Sequence, residues 1–217
     1  MRVAFALPGR DFTDSFLASW TFLITECILN NIEFTFSIEY SAMISEVRNK
    51  CLGANYFKGN NQVPFEGFDY DFIMFLDHDQ MFTFEQFKTL LNHNLDIVSG
   101  WYPMPHMGRV WASCGNWEKE GSPLYRVDQM GSKKELIEVD FSGLGFTLIK
   151  KGVFEKLKYP WFYPTWEEIE GINKRLGYDS MDALREDIAF YNKAKRAGFA
   201  VWIDPNVRVG HDKRVIL

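Results

Sequence analysis

Two carboxylates stand two residues apart in Asp77-His78-Asp79, directly after the unbroken apolar run Phe72-Ile73-Met74-Phe75-Leu76. In extended chain, positions i and i+2 share a side, so the pair concentrates negative charge that something must compensate. A hard divalent cation does this: Mg2+ or Mn2+ takes oxygen ligands, binds through one or two carboxylates and fills its other positions with water and substrate phosphates. The competing reading is a loop in which Asp77 caps a turn and Asp79 faces water. A second acid pair, Glu186-Asp187, falls in the first turn expected of a helix, where it complements the macrodipole. His211 follows a short apolar run and is either a metal ligand or a surface imidazole. Arg48, on another expected helix, meets a phosphate or a carboxylate, or forms a surface ion pair. Trp101, Tyr102, Trp111 and Trp117 supply rings that stack on a sugar face or pack in a core.

The elements that must position these groups alternate. An apolar strand over 3–7 stops at Pro8-Gly9, and Thr13 or Asp14 caps a helix reaching residue 29. A strand over 33–38 precedes a helix capped by Ser41, with Met43, Ile44, Val47, Cys51 and Leu52 at helical intervals. The apolar run at 72–76 reads as a strand covered on both faces. Thr83 caps a helix over 84–92, and 97–100 is a fourth strand. This β-α-β-α-β-α-β pattern predicts one α/β domain with an open, mostly parallel sheet that binds ligands at the carboxyl ends of its strands. The second half predicts a small antiparallel meander from short strands at 110–112, 124–127 and 136–139. A glycine-broken segment then enters a strand, followed by a helix over 151–157. Residues 160–180 read as a loop or lid; a helix over 186–197 and a strand over 199–203, ended by Pro205, close the pattern.

Composition sets limits. A chain of 217 residues fits one core, and 47% hydrophobic with 24% charged residues excludes a disordered or fibrous protein. A net charge of −5 argues against nucleic acid as a partner. Cys27, Cys51 and Cys114 lack the spacing of a zinc cluster or a disulfide framework and suit a reducing compartment. No apolar run reaches the length of a membrane span. The expectation is a soluble, cytoplasmic or otherwise intracellular protein.

In the order and spacing of its motifs the chain resembles the GT-A-fold glycosyltransferases, particularly the family-2-like ones, over nearly its whole length. FIMFLDHDQMF matches that family's strand ending in Asp-x-Asp, FSGLGFTLIKKGVFEKL (141–157) its glycine-rich loop, Arg185-Glu186-Asp187 its acidic helix start, and His211 its terminal histidine. The resemblance implies a UDP-sugar donor, a Mn2+ or Mg2+ ion, and a carbohydrate or glycoprotein acceptor. It implies a nucleotide-binding half over 1–100 and an acceptor and catalytic half over 101–217. Nucleotide contacts fall to Pro8, Gly9, Arg10, Glu39, Arg48, Asp77, His78, Asp79 and Gly143, with His78 a spacer in the triplet. Metal ligation falls to Asp79 and His211 with Asp77. Asp187, beside Glu186, becomes the general base for an inverting transfer to a hydroxyl. The sequence departs from the family at Glu39-Tyr40-Ser41, where an Asp pair is common, so base selectivity is left open. Two rival readings remain. A nucleotidyltransferase making sugar nucleotides usually has a glycine-rich basic loop where this chain has Pro8-Gly9-Arg10-Asp11; a non-catalytic carbohydrate or nucleotide-sugar binding module would keep the rings and could lose the acids.

Overall fold

The computed structural model describes residues 1–66, 68–106, 108–118, 122–176 and 185–213. The alternation expected over the first hundred residues is present as β1 (Arg2–Pro8), α1 (Asp14–Leu29), β2 (Glu33–Glu39), α2 (Ile44–Cys51), β3 (Phe72–Leu76), the short β4 (Gln80–Met81), α3 (Phe84–His93) and β5 (Ile97–Trp101). The chain continues through β6 (Pro103–His106), β7 (Arg109–Gly115), β8 (Leu124–Arg126), α4 (Val127–Gly131), β9 (Ile137–Val139), β10 (Phe141–Ser142) and β11 (Phe146–Lys150). It then runs through α5 (Val153–Lys156), α6 (Trp166–Leu176), α7 (Glu186–Arg196), β12 (Val201–Arg208) and β13 (Gly210–His211).

Local chemistry sets the helix starts. The Thr13 hydroxyl accepts the Phe16 N–H at 3.1 Å, and Thr83 and Gln86 exchange two hydrogen bonds of 2.9 and 3.3 Å in a capping box. Ser41 does not cap α2 as expected. Met43 holds that position, while the Ser41 hydroxyl bonds the Glu46 carboxylate and accepts the Met43 N–H.

The main sheet has seven strands in the order β2-β1-β3-β11-β5-β12-β9. β1, β2, β3, β5 and β12 run one way, while β11 and β9 run against them. The sheet is mostly parallel, as the alternation predicted. Side-chain parity in β3 divides the core. Phe72, Met74 and Leu76 pack with α1 and α3 through Phe16, Leu23, Phe87 and Leu90, whereas Ile73 and Phe75 pack on the other face with Val47, Phe154, Phe162 and Phe190. Helices therefore cover both faces of a mixed α/β domain.

Three expectations for the second half need correction. β6, β7, β8 and β10 make a small antiparallel sheet, but β9 leaves that meander and pairs with β12 at the edge of the main sheet. Pro205 does not end the last strand. It sits inside β12 where the register with β5 shifts, a bulge that tolerates a residue without an N–H. Residues 166–176 form α6 rather than a loop: Thr165 and Glu168 bond each other's backbone N–H at 3.3 and 2.8 Å, a capping arrangement that outweighs the weak periodicity. The remainder of that expected lid, residues 177–180, lies outside the described residues.

Candidate functional site

β1, β2 and β3 end side by side, with Pro8 in register with Glu39 and Leu76 followed by the Asp77-His78-Asp79 turn. The Gly9 N–H donates to the Glu39 carbonyl at 2.9 Å. Gly9 has φ +144°, and a Cβ there would lie 2.9 Å from the Cβ of His78. The first loop thus rests against the middle of the triplet, whose carbonyl accepts the Thr13 N–H at 3.1 Å. His78 faces Gly9 and Phe12 and serves packing in this arrangement. On the open side, the Arg10 guanidinium lies over the Tyr40 ring at 4.4 Å and pairs with Asp11 at 3.2 Å.

Arg48 is 3% exposed and ties two distant parts of the chain together. Its Nη1 lies 3.0 Å from Asp77 Oδ1, its Nη2 donates to Asp77 Oδ2 at 3.3 Å, and its Nε donates to Glu186 Oε1 at 3.1 Å. Burial works against this charge, but Asp77 and Glu186 more than offset it and fix the guanidinium as a cation. Nη1 and Oδ1, although close, are not aligned for a hydrogen bond, so both are buried polar atoms without one.

Asp79 is 5% exposed. Its Oδ2 accepts from the Lys213 ammonium and lies 3.5 Å from His211 Nε2. His211 arrives through a short antiparallel ladder in which it pairs with Gln80. Burial pushes the Asp79 carboxyl up, but hydrogen bonds from His211 and Lys213 reverse this and hold it well below the usual carboxylate range. His211 Nδ1 lies 3.2 Å from the Pro103 carbonyl, which can only accept, so Nδ1 carries a proton. Deprotonation of the ring would then present the Nε2 lone pair toward Asp79, the orientation a metal ligand needs.

α7 begins at the same place. The Asp187 carboxylate accepts its own helix's Ile188 N–H at 2.7 Å. Burial first, and then the neighbouring Glu186 charge, push its pKa up to about 7 against the pull of Ile188 and Arg48. The buried Tyr102 phenol is held well above its ordinary value by burial and by the charges of Asp77 and Asp187, which places both acids within electrostatic reach of one ring.

The glycine-rich loop runs beneath that ring. A Cβ on Gly143 would meet the Tyr102 hydroxyl at 2.0 Å, and one on Gly145 would meet Gln80 Nε2 at 2.9 Å and Asp77 Oδ2 at 3.0 Å. Gly143 thus touches Tyr102, and Gly145 is the glycine against the triplet. Trp101 is core, its Nε1–H donating to the Pro205 carbonyl at 2.9 Å; Trp117 packs on Phe141 at 4.6 Å.

Sequence reasoning missed Gln80, Gly145 and Lys213. Gln80 is fully buried at the site with neither amide atom hydrogen-bonded. Its position directly after the acid pair was the available signal, and for Lys213 it was a cation two residues past His211. Among the described residues no group of three or more His, Cys, Asp or Glu side chains is set to hold a metal. The chain's own donors for a cation are Asp79 and His211.

No protein-family model and no curated protein sequence matches this chain. Solved structures do. A197 from STIV aligns with a TM-score of 0.55 at 20% identity, covering 100% of this chain and 97% of that one. GalNAc-T7 with UDP, GalNAc and Mn2+ aligns with a TM-score of 0.56 at 10% identity, covering 98% of this chain and 44% of that one. The fold is GT-A-like. This chain spans less than half the length of GalNAc-T7, and identities this low speak to architecture alone. Among the described residues no helix is long and apolar enough to cross a membrane.

Proposed function

We propose that this protein is a glycosyltransferase that moves a hexose or deoxyhexose from a UDP-sugar to a hydroxyl of a glycan or glycoprotein, with a divalent cation and with inversion. The observation that carries this reading is the convergence of acids at the strand ends, where Arg48 joins Asp77 to Glu186 across 138 residues of sequence. Open sheets of this type bind ligands there, and the GT-A-like neighbour crystallised with UDP and Mn2+ supports the same choice of ligand. Residues 1–100 would then form the nucleotide half and residues 101–217 the acceptor and catalytic half.

The donor set fits Mn2+ or Mg2+ when the substrate completes it. Asp79 offers a carboxylate, His211 an imidazole and Asp77 Oδ1 a buried acceptor without a hydrogen bond, and such ions take the rest of their shell from phosphates and water. When bound, the ion would supply Lewis-acid neutralisation of the departing diphosphate. Pro8, Gly9, Arg10, Tyr40 and Glu39 line the approach of the base, and Asp77 faces the ribose. Arg48 keeps Asp77 ionised and oriented. Glu186, held by Arg48, fixes the first turn of α7. Asp187 takes the proton from the acceptor hydroxyl, and a carboxyl titrating near neutral pH suits that task.

Calorimetry with UDP tests this reading. Binding should require Mn2+, Asp79→Ala should abolish it, and Asp187→Asn should preserve it while removing transfer. Failure of the protein to bind UDP at any Mn2+ concentration, or retention of anomeric configuration in the NMR spectrum of the product, would overturn the reading or its choice of base respectively.

A further inference from the structure

The two strand-end carboxylates are each answered by a cation of the chain itself, and those cations differ in kind. Arg48 is buried and held by two acids, Asp77 and Glu186. The Lys213 side chain is 51% exposed, and its ammonium reaches Asp79 alone among the described residues' printed partners. Resting on the reading given above, we propose that Lys213 is a built-in counter-ion that occupies the cation position at Asp79 and is displaced when the divalent ion and donor bind.

Three features of the geometry support this. First, Lys213 and His211 both address Oδ2 of Asp79. A divalent ion ligated by that oxygen and by His211 Nε2 would meet the ammonium at close range, and two cations on one oxygen repel. Second, Asp79 is too buried to remain ionised cheaply without a counter-charge. Lys213 keeps the carboxylate charged, and so ready to ligate, while the site is empty. Third, exchange is easy at this position and difficult at the other. A half-exposed lysine swings into water on a flexible stem, whereas Arg48 could leave only by uncovering two carboxylates. The cation is thus exchanged at Asp79, while Asp77 keeps its arginine.

The consequence is competition, so removing the ammonium should strengthen divalent-ion binding. Titration of Mn2+, followed by the loss of its free-ion EPR signal, distinguishes the outcomes when run with and without saturating UDP on the wild type, Lys213→Ala and Lys213→Arg. Lys213→Ala should bind Mn2+ about fivefold more tightly, the scale of one weak exposed ion pair, and Lys213→Arg should stay near the wild type. Thermal melts of each variant, expected to match the wild type within a few degrees, exclude misfolding as the cause. Unchanged or weakened Mn2+ affinity in Lys213→Ala would overturn the counter-ion role while leaving the glycosyltransferase reading intact. If the wild type takes up neither Mn2+ nor UDP with Mn2+, the functional reading fails and the inference falls with it.

Discussion

The acids of this site differ in what answers their charge. Asp77 has a buried guanidinium and Asp79 an ammonium and an imidazole, whereas the Asp187 carboxylate accepts a single N–H from its own helix. Its pKa rises to about 7, first through burial and then through Glu186, well above the ordinary 3.8. Because the folded value exceeds the unfolded one, the folded protein binds the extra proton between those values. Asp187 therefore costs nothing below about pH 4, and stability is lost as pH rises through about 7. Asp187→Asn should accordingly raise the Tm by several degrees at pH 8 and by much less at pH 4, as scanning fluorimetry across pH would record. A difference that shrinks toward pH 8 would contradict it. In the wild type, kcat/KM should climb with pH to a plateau above about 7 as the base form fills. The acid types and their order were legible in the sequence; their partners were not. Nothing local at Arg48 reveals that it will bridge residues 29 and 138 positions away, because such pairing is decided by how the sheet closes.

At the scale of elements, legibility followed capping and burial. α1 and α3 carry Thr caps beside strong apolar faces, and β3 is apolar throughout, so local signals agreed with the tertiary outcome. α6 also carried its signature, Thr165 three residues before Glu168, but its acid-rich first turn diluted the periodicity. β4 and β13 are two-residue ladders with no periodicity to read. The glycine-rich loop gives the sharpest test at this scale. Gly145→Ala would drive a methyl group against Gln80, Asp77 and Tyr102 at 2.9–3.1 Å. It should cost about 1–3 kcal/mol of stability and weaken UDP binding by displacing Asp77. Gly171→Ala in α6, whose Cβ would meet nothing within 4 Å, should be neutral or stabilising by up to ~1 kcal/mol. Denaturant melts of the two variants give the comparison, and equal effects would contradict the packing assigned to the loop.

For the whole molecule, the alternation of the first hundred residues identified the fold class, while the position of β11 was hidden. Strand order depends on which edges remain open, and one sequence does not carry that information locally. β11 lies antiparallel between β3 and β5, joining the first half of the chain to the second. This has a bearing on how the protein comes to exist during synthesis. A nascent chain that has only reached β5 holds β3 and β5 as apolar strands with no neighbour between them, because the strand that separates them is still tens of residues from being made. Such edges pair with other chains. A fragment of residues 1–101 should therefore be insoluble or chaperone-bound, whereas one extended through residue 213 should fold cooperatively; light scattering of the two would show the difference. The nucleotide half cannot be matured ahead of the acceptor half, and the chain gains its donor site only after almost all of it has been translated.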